Sequence, residues 1–342
     1  MSYRITVADT DISFECAPDT SILDAAKQAG YEIPYSCRNG ICGSCKGKVV
    51  SGEYRAAQAQ HGLSAQELAE GHALFCQARP ESDLDISVRT IARIDPDATR
   101  QLEAKLHKVT RLRDDVSVLQ LRFPAGVRVP FQAGQYLQVV LEDGSRRSYS
   151  MANPSHQSDG VHLHVRHVPD GRFTEYLERM ATAGDVLTLE LPFGDFFLRP
   201  SDRPLIFVAS GTGFAPIKSI LEGMFKQGNP RQPVYLYWGG RRKADLYMSE
   251  LPEKWMGRYS NFHFIPVVSD EATGADRTGF VHAAVLDDFP SLKNYQVYAC
   301  GAPAMINAAR NDFIQERGLP SDAFYCDAFV TTRDSEPAAA DS

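Results

Sequence analysis

No run of 18 apolar residues occurs in the sequence, which excludes an ordinary membrane-spanning helix. The opening residues, Met1-Ser2-Tyr3-Arg4-Ile5-Thr6-Val7-Ala8-Asp9, lack the long apolar stretch of a secretory signal, so a cytoplasmic protein is expected. Basic charge is not in excess: 36 Lys and Arg stand against 43 Asp and Glu, a net charge of −7. Residues 1–92 carry 8 basic and 12 acidic side chains, residues 93–200 carry 14 of each, and residues 201–342 carry 14 and 17. That balance argues against nucleic acid as a partner. Seven cysteines do not read as a secreted disulfide framework. No internal repeat or low-complexity tract is present, apart from a Pro/Ala/Asp-containing tail at 334–342 that is expected to be disordered.

Four of the cysteines do form a pattern. Cys37, Cys42 and Cys45 stand in Tyr35-Ser36-Cys37-Arg38-Asn39-Gly40-Ile41-Cys42-Gly43-Ser44-Cys45, and Cys76 follows thirty-one residues after Cys45. The spacing C-x4-C-x2-C…C is that of a plant-type [2Fe–2S] centre. Three thiolates of one short loop must converge on two irons, and Gly40 and Gly43 allow the loop the positive φ this needs. Structural zinc accepts four cysteines too, but its sites usually pair short knuckles on both sides, whereas here three ligands face one.

At roughly 150 residues per domain, a chain of 342 residues holds two or three domains. Residues 1–92 read as short strands (Arg4–Val7, Asp11–Phe14, Lys46–Ser51, Asp85–Val88) around one helix capped by Asp19 or Thr20 and closed by Gly30. A β-grasp arrangement with the cysteine loop at its edge is expected. Residues 93–101 read as a linker. Residues 102–199 alternate with period two at 116–121, 136–141, 161–165 and 185–189, with an Asp143-Gly144 hairpin turn, and are expected to make a small antiparallel β-barrel. Residues 200–333 switch to βα alternation, the pattern of a doubly wound parallel α/β domain.

Several motifs carry chemistry. Arg147-Ser148-Tyr149-Ser150 offers a guanidinium for a phosphate and, two residues on, a ring for a flat partner. Gly171-Arg172-Phe173-Thr174 opens a helix, expected from Thr174 to about Met180, and a helix N-terminus is a natural pyrophosphate site. Gly211-Thr212-Gly213 follows a buried strand, although Phe214-Ala215-Pro216 departs from G-x-G-x-x-G. Cys300-Gly301 ends another strand, at the carboxyl edge where such sheets bind ligands; an inert buried thiol is the plainer reading of Cys300. Arg241-Arg242-Lys243 is either a seat for a 2′-phosphate or solvated charge, and Asp245 is the nearest acid for a ribose hydroxyl. His162 and His164 share a strand face without a third ligand and are assigned no metal.

Taken together, Arg147 to Pro154, Leu163 to Pro169, Gly211 to Ser219 and the cysteine loop resemble the three-domain iron–sulfur flavoprotein reductases of the ferredoxin–NADP reductase superfamily. Within it they are most similar to the branches serving terephthalate dioxygenase and the CDP-6-deoxyglucoseen reductases. The resemblance implies a [2Fe–2S] cluster, FAD and NADH, with NADPH as the alternative donor, and a terminal oxygenase or other metalloenzyme as single-electron acceptor. It also implies roles by position. Arg147 and Ser148 belong to the FAD phosphate side, Tyr149 lies against the isoalloxazine, and Ser150 sits near flavin N5. Val165 and Arg166 border the ribityl chain and phosphates, while Gly171, Arg172, Phe173 and Thr174 hold the pyrophosphate. Gly211, Thr212, Gly213 and Arg241 meet the dinucleotide. Cys300 and Gly301 lie beside the hydride path, and Phe329 flanks the flavin. Two rivals remain: the same cofactors serving a deoxysugar dehydratase, and a non-enzymatic electron carrier or redox sensor.

Overall fold

A computed structural model describes residues 2–56, 60–169, 171–270 and 277–330; the tail expected from 334 onward lies outside them. The chain divides into two compact units. The first comprises residues 1–96, residues 302–311 and the stretch beginning at Cys326; the second comprises 97–301 and 312–325.

In the first unit a five-stranded sheet runs in the order Ser13–Cys16, Tyr3–Val7, Leu84–Val88, Lys46–Ser51, His72–Leu74. Tyr3–Val7 pairs antiparallel with its hairpin neighbour and parallel with Leu84–Val88. Period-two alternation puts Ile5, Val7, Phe14, Leu84 and Ile86 on one face, where helix Ile22–Gln28 covers them with Ile22, Leu23, Ala25 and Ala26. Each large aliphatic side chain so buried contributes about 1.5–3 kcal/mol. The helix is capped by Ser21, whose hydroxyl accepts from the Asp24 amide at 3.1 Å, one residue beyond the expected Asp19 or Thr20. Gly30, at φ +82°, closes it as expected.

The second unit holds two sheets. One is antiparallel and six-stranded, in the order Arg146–Ser150, Tyr136–Val140, Val186–Phe193, Arg100–Arg113, Val116–Arg122, Gly160–Arg166. The expected barrel is not closed by a ladder: its two edges meet only at an isolated bridge between Met151 and Leu163. The central strand Arg100–Arg113 is 14 residues long and begins inside the expected linker. Charged residues on its outward face hid its alternation, while Ala104 and Leu106 point into the core. The cluster loop's counterpart here is the second sheet, whose strands Arg277–Thr278, Phe262–Val268, Val234–Gly240, Leu205–Ser210 and Gln296–Gly301 lie side by side and parallel. Leu205 to Ala209 are wholly buried, as a central strand covered on both faces requires. The chain passes from Leu205–Ser210 to Val234–Gly240 on one side and later returns to Gln296–Gly301 on the other. The topological switch point therefore lies between Leu205–Ser210 and Gln296–Gly301.

Candidate functional site

In the first unit the cysteine loop is shaped by backbone conformation. Arg38, Gly40 and Gly43 have φ of +57°, +73° and +74°, so the chain doubles back and its amides turn inward. The Cys42 amide donates to Cys37 Sγ at 3.3 Å, the Asn39 amide to the same sulfur at 3.4 Å, and the Cys37 amide to Cys42 Sγ at 3.4 Å. Gln77 ties the second segment to the first by donating to the Arg38 carbonyl at 2.9 Å. Cys42, Cys45 and Cys76 are buried and Cys37 is partly exposed.

The four thiols influence one another chiefly in two pairs, Cys37 with Cys42 and Cys45 with Cys76. Within each pair one thiol is pushed up and the other drawn down. The Cys37 thiol and the Ser44 hydroxyl and amide bring Cys42 to about 5, against the opposing effect of burial. The mutual hydrogen bond lowers Cys76 and raises Cys45. Four bare thiolates would repel one another here; a cationic centre bridging both pairs removes that conflict. Among the described residues no group of three or more ligating side chains is gathered as a single-ion site.

In the second unit the flavin-side motifs sit on adjacent turns. Arg146 and Arg147 face opposite ways along their strand. Arg146 forms a two-pronged ion pair with Glu190 at 2.9 and 3.0 Å, while Arg147 donates to the Arg146 carbonyl at 3.0 Å. Ser148 is exposed. The Tyr149 ring rests 5.3 Å from that of Phe173, which is buried. The Ser150 hydroxyl is buried and has no hydrogen-bond partner among the described residues. An orphaned hydroxyl costs about 1–3 kcal/mol, and a polar ligand atom relieves it. The expected helix begins two residues early, as Arg172–Arg179 with Gly171 at its N-cap. The Glu175 amide makes its first turn to the Gly171 carbonyl at 2.8 Å, leaving the amides of Arg172 to Thr174 at the open end. The Thr174 hydroxyl is occupied locally, donating toward the carbonyls of Gly171 and Val168 at 2.7 and 2.9 Å. Arg172 pairs with Asp143. Val165 lies with its side chain in the core, so only its main chain remains for a ligand.

At the switch point, Gly211 to Gly213 form a short 3-10 turn after Leu205–Ser210. A Cβ on Gly213 would stand 2.1 Å from the Cys300 carbonyl oxygen, and one on Gly301 would stand 2.7 Å from the Ser210 carbonyl oxygen. Only glycines let the two strand ends approach this closely. Trp238 Nε1 donates to the Gly211 carbonyl at 3.1 Å and pins the turn. Thr212 and Cys300 are buried. Arg166 lies beside Gly211, 3.1 Å from where its Cβ would be, and pairs with Asp115 at 3.7 Å. Arg241 is exposed. Asp245 accepts from the Arg241 and Arg242 amides at 2.9 Å each and from Arg113 at 2.6 Å, and so braces the loop. Phe329 is half-buried just after the last strand, Phe324–Ala328.

Sequence reasoning missed the residues that brace these motifs. Lys218 and Ser219 donate to the Ala152 and Asn153 carbonyls at 3.1 and 2.6 Å and hold the turn after Ser150. His164, drawn down to about 3 by burial and by Lys218 and His162, hydrogen-bonds Tyr247 at 2.8 Å. Their partners lie tens of residues away, so no local pattern announces them.

Three family models match the chain in succession: the 2Fe-2S iron-sulfur cluster binding domain over residues 5–81, the oxidoreductase FAD-binding domain over 103–198, and the oxidoreductase NAD-binding domain over 207–311. Reductase component 2 of terephthalate 1,2-dioxygenase from Comamonas sp. is 42% identical over 340 residues, covering 97% of this chain and 98% of that protein. The chain belongs to the three-domain iron–sulfur flavoprotein reductases. This reductase is also 38% identical to the CDP-6-deoxy-L-threo-D-glycero-4-hexulose-3-dehydrase reductase of Yersinia pestis, over 97% of this chain and all of the other. The crystal structure of an Amycolatopsis cytochrome P450 reductase superposes with a TM-score of 0.72 at 34% identity, covering 96% of this chain and 98% of that one. The reductase is an NAD(P)H:acceptor oxidoreductase of the FAD and [2Fe–2S] type.

Proposed function

We propose that this reductase feeds single electrons from NADH to the oxygenase component of an aromatic-ring-hydroxylating system. The end-to-end likeness to the Comamonas terephthalate dioxygenase reductase carries this choice of partner. When bound, FAD accepts the electron pair of a hydride and the [2Fe–2S] cluster passes electrons on singly.

The chain's part is to bind, orient and insulate. Cys37, Cys42, Cys45 and Cys76 are the proposed iron ligands and would hold the cluster, a reading supported by their spacing and by the amides turned toward Cys37 and Cys42. Arg147, Ser148, Tyr149, Ser150, Val165 and Arg166, with the open helix end at Gly171, Arg172, Phe173 and Thr174, are assigned to FAD. The unpartnered Ser150 hydroxyl supports a polar ligand atom there. Phe329 is assigned to the flavin as well. Gly211, Thr212, Gly213, Cys300 and Gly301 are assigned to the nicotinamide coenzyme at the switch point, and Arg241 to its adenosine end. The close packing of Gly213 on Cys300 keeps side chains out of that crevice. The positive charge of Arg241, Arg242 and Lys243 makes NADPH the alternative donor, decided by comparing the two coenzymes in one assay. A cytoplasmic location goes with this role; no described helix is long and apolar enough to cross a membrane.

Replacing Cys42 with alanine tests the route. Reduction of the oxygenase component should be lost while NADH-driven ferricyanide reduction persists. Survival of both would break the assigned path. The 38% likeness to the hexulose dehydrase reductase supports a second client, a deoxysugar dehydrase, and reconstitution with each purified client distinguishes the two.

A further inference from the structure

The cysteine loop carries a contact that the ligand pattern does not explain. Arg310, in the helix Pro303–Gln315, is 3% exposed and belongs to the first unit. Its Nη2 donates to the carbonyl oxygen of Cys42 at 2.5 Å, across 268 residues of sequence. The same carbonyl accepts from the Cys326 thiol at 3.1 Å, and Arg310 also reaches Cys326 Sγ at 3.3 Å. On the next residue, a Cβ at Gly43 would lie 3.1 and 3.3 Å from the two terminal guanidinium nitrogens, so the guanidinium sits close against the loop. A second tether stands beside it: Ser36, just before Cys37, donates to buried Asp327 at 2.5 Å.

Burying a guanidinium costs several kcal/mol even after relaxation, and a neutral donor would satisfy one carbonyl as well. The charge adds what a neutral donor does not. Two ferric ions, two sulfides and four thiolates sum to a net charge of about −2, and one added electron makes it −3. A fixed cation on the loop stabilises the more negative state, most strongly where water is excluded.

We propose that Arg310 is a positioning residue for the iron–sulfur centre, clamping the Cys42–Gly43 peptide and raising the cluster's reduction potential through its buried charge. This rests on the reading of the four cysteines as cluster ligands. The test is a spectroelectrochemical titration of the purified holoprotein and its variants. Arg310→Gln keeps a donor and removes the charge; at the wild-type midpoint its ratio of reduced to oxidised cluster should fall about tenfold, a shift of about 59 mV for one electron. Arg310→Lys restores the charge and should stay within about twofold of wild type. Cys326→Ala removes a neutral donor from the same carbonyl and should also stay within about twofold. An unshifted glutamine variant, or a lysine or Cys326 variant shifted as far as glutamine, would overturn the proposal. If the glutamine variant fails to retain iron and sulfide, the lysine variant decides: a wild-type potential supports the charge and a tenfold fall refutes it. A wild-type protein without a cluster would instead sink the ligand reading beneath it.

Discussion

The cysteine loop and the crevice at the switch point solve the same problem by opposite means. In the loop, side chains do the chemistry, and the backbone is bent so that four sulfurs meet in two pairs. At the crevice the backbone is the proposed binding surface, and side chains are kept out of it or spent on bracing, as with Gly213 against Cys300, Trp238 on Gly211 and Asp245 on its own loop. The loop should therefore fail when a functional atom is removed, and the crevice should fail when an atom is added.

The largest effect expected at the crevice comes from Gly213→Ala. Its methyl would sit 2.1 Å from a carbonyl oxygen that cannot swing away. NADH oxidation should drop by at least about 100-fold, ~2.7 kcal/mol in the barrier. Near-normal steady-state turnover would show that the strand ends part freely and that the contrast is false. Ser150→Ala runs the other way. It removes a buried hydroxyl with no protein partner, so thermal stability should hold while hydride transfer, followed by stopped flow, slows about tenfold or more. A stability loss without a rate effect would make Ser150 a structural residue.

Adjacent arginines sharpen the comparison within one strand. Arg147→Ala should weaken FAD retention about tenfold, ~1.4 kcal/mol, measured by flavin release on dilution. Arg146→Ala, losing its pair with Glu190, should leave FAD binding alone and lower the melting temperature only slightly. Equal effects would mean that the two faces of the strand were misassigned.

A separate effect is one of pH. Burial holds the His164 ring at about 3, below its ordinary value of 6.5, so the folded state keeps it neutral. Below pH 6.5 the unfolded chain binds a proton that the folded chain refuses. Stability is therefore full above 6.5 and declines as pH falls toward 3, by at most about 1.4 kcal/mol for each unit crossed. His164→Gln should flatten that decline in melts taken between pH 4 and 7, and an unchanged slope would assign it to other groups.

These contrasts also explain what could be read from the chain alone. The cysteine spacing was legible because three ligands share one loop and local geometry dictates their intervals. The period-two and βα patterns located most strands for the same reason: each face records its own surroundings. Arg100–Arg113 escaped because its outward residues are charged and its first residues look like a tether. The braces escaped altogether. Arg310 looks like any polar residue of a helix, and only the folded chain brings it to Cys42. Asp245 is merely the nearest acid in the sequence, and its bracing bonds to Arg113 and the loop amides appear only in the fold. Sequence records what a residue is beside in the chain, and bracing depends on what it meets across the fold.

The central claim is that one chain carries electrons from nicotinamide through flavin to an iron–sulfur centre. An anaerobic titration of the purified, oxygen-protected protein with NADH, followed in the visible spectrum, tests it most directly. The account predicts flavin bands and a longer-wavelength iron–sulfide shoulder that bleach together as NADH is added. Flavin bleaching beside a shoulder that stays at full strength would contradict it.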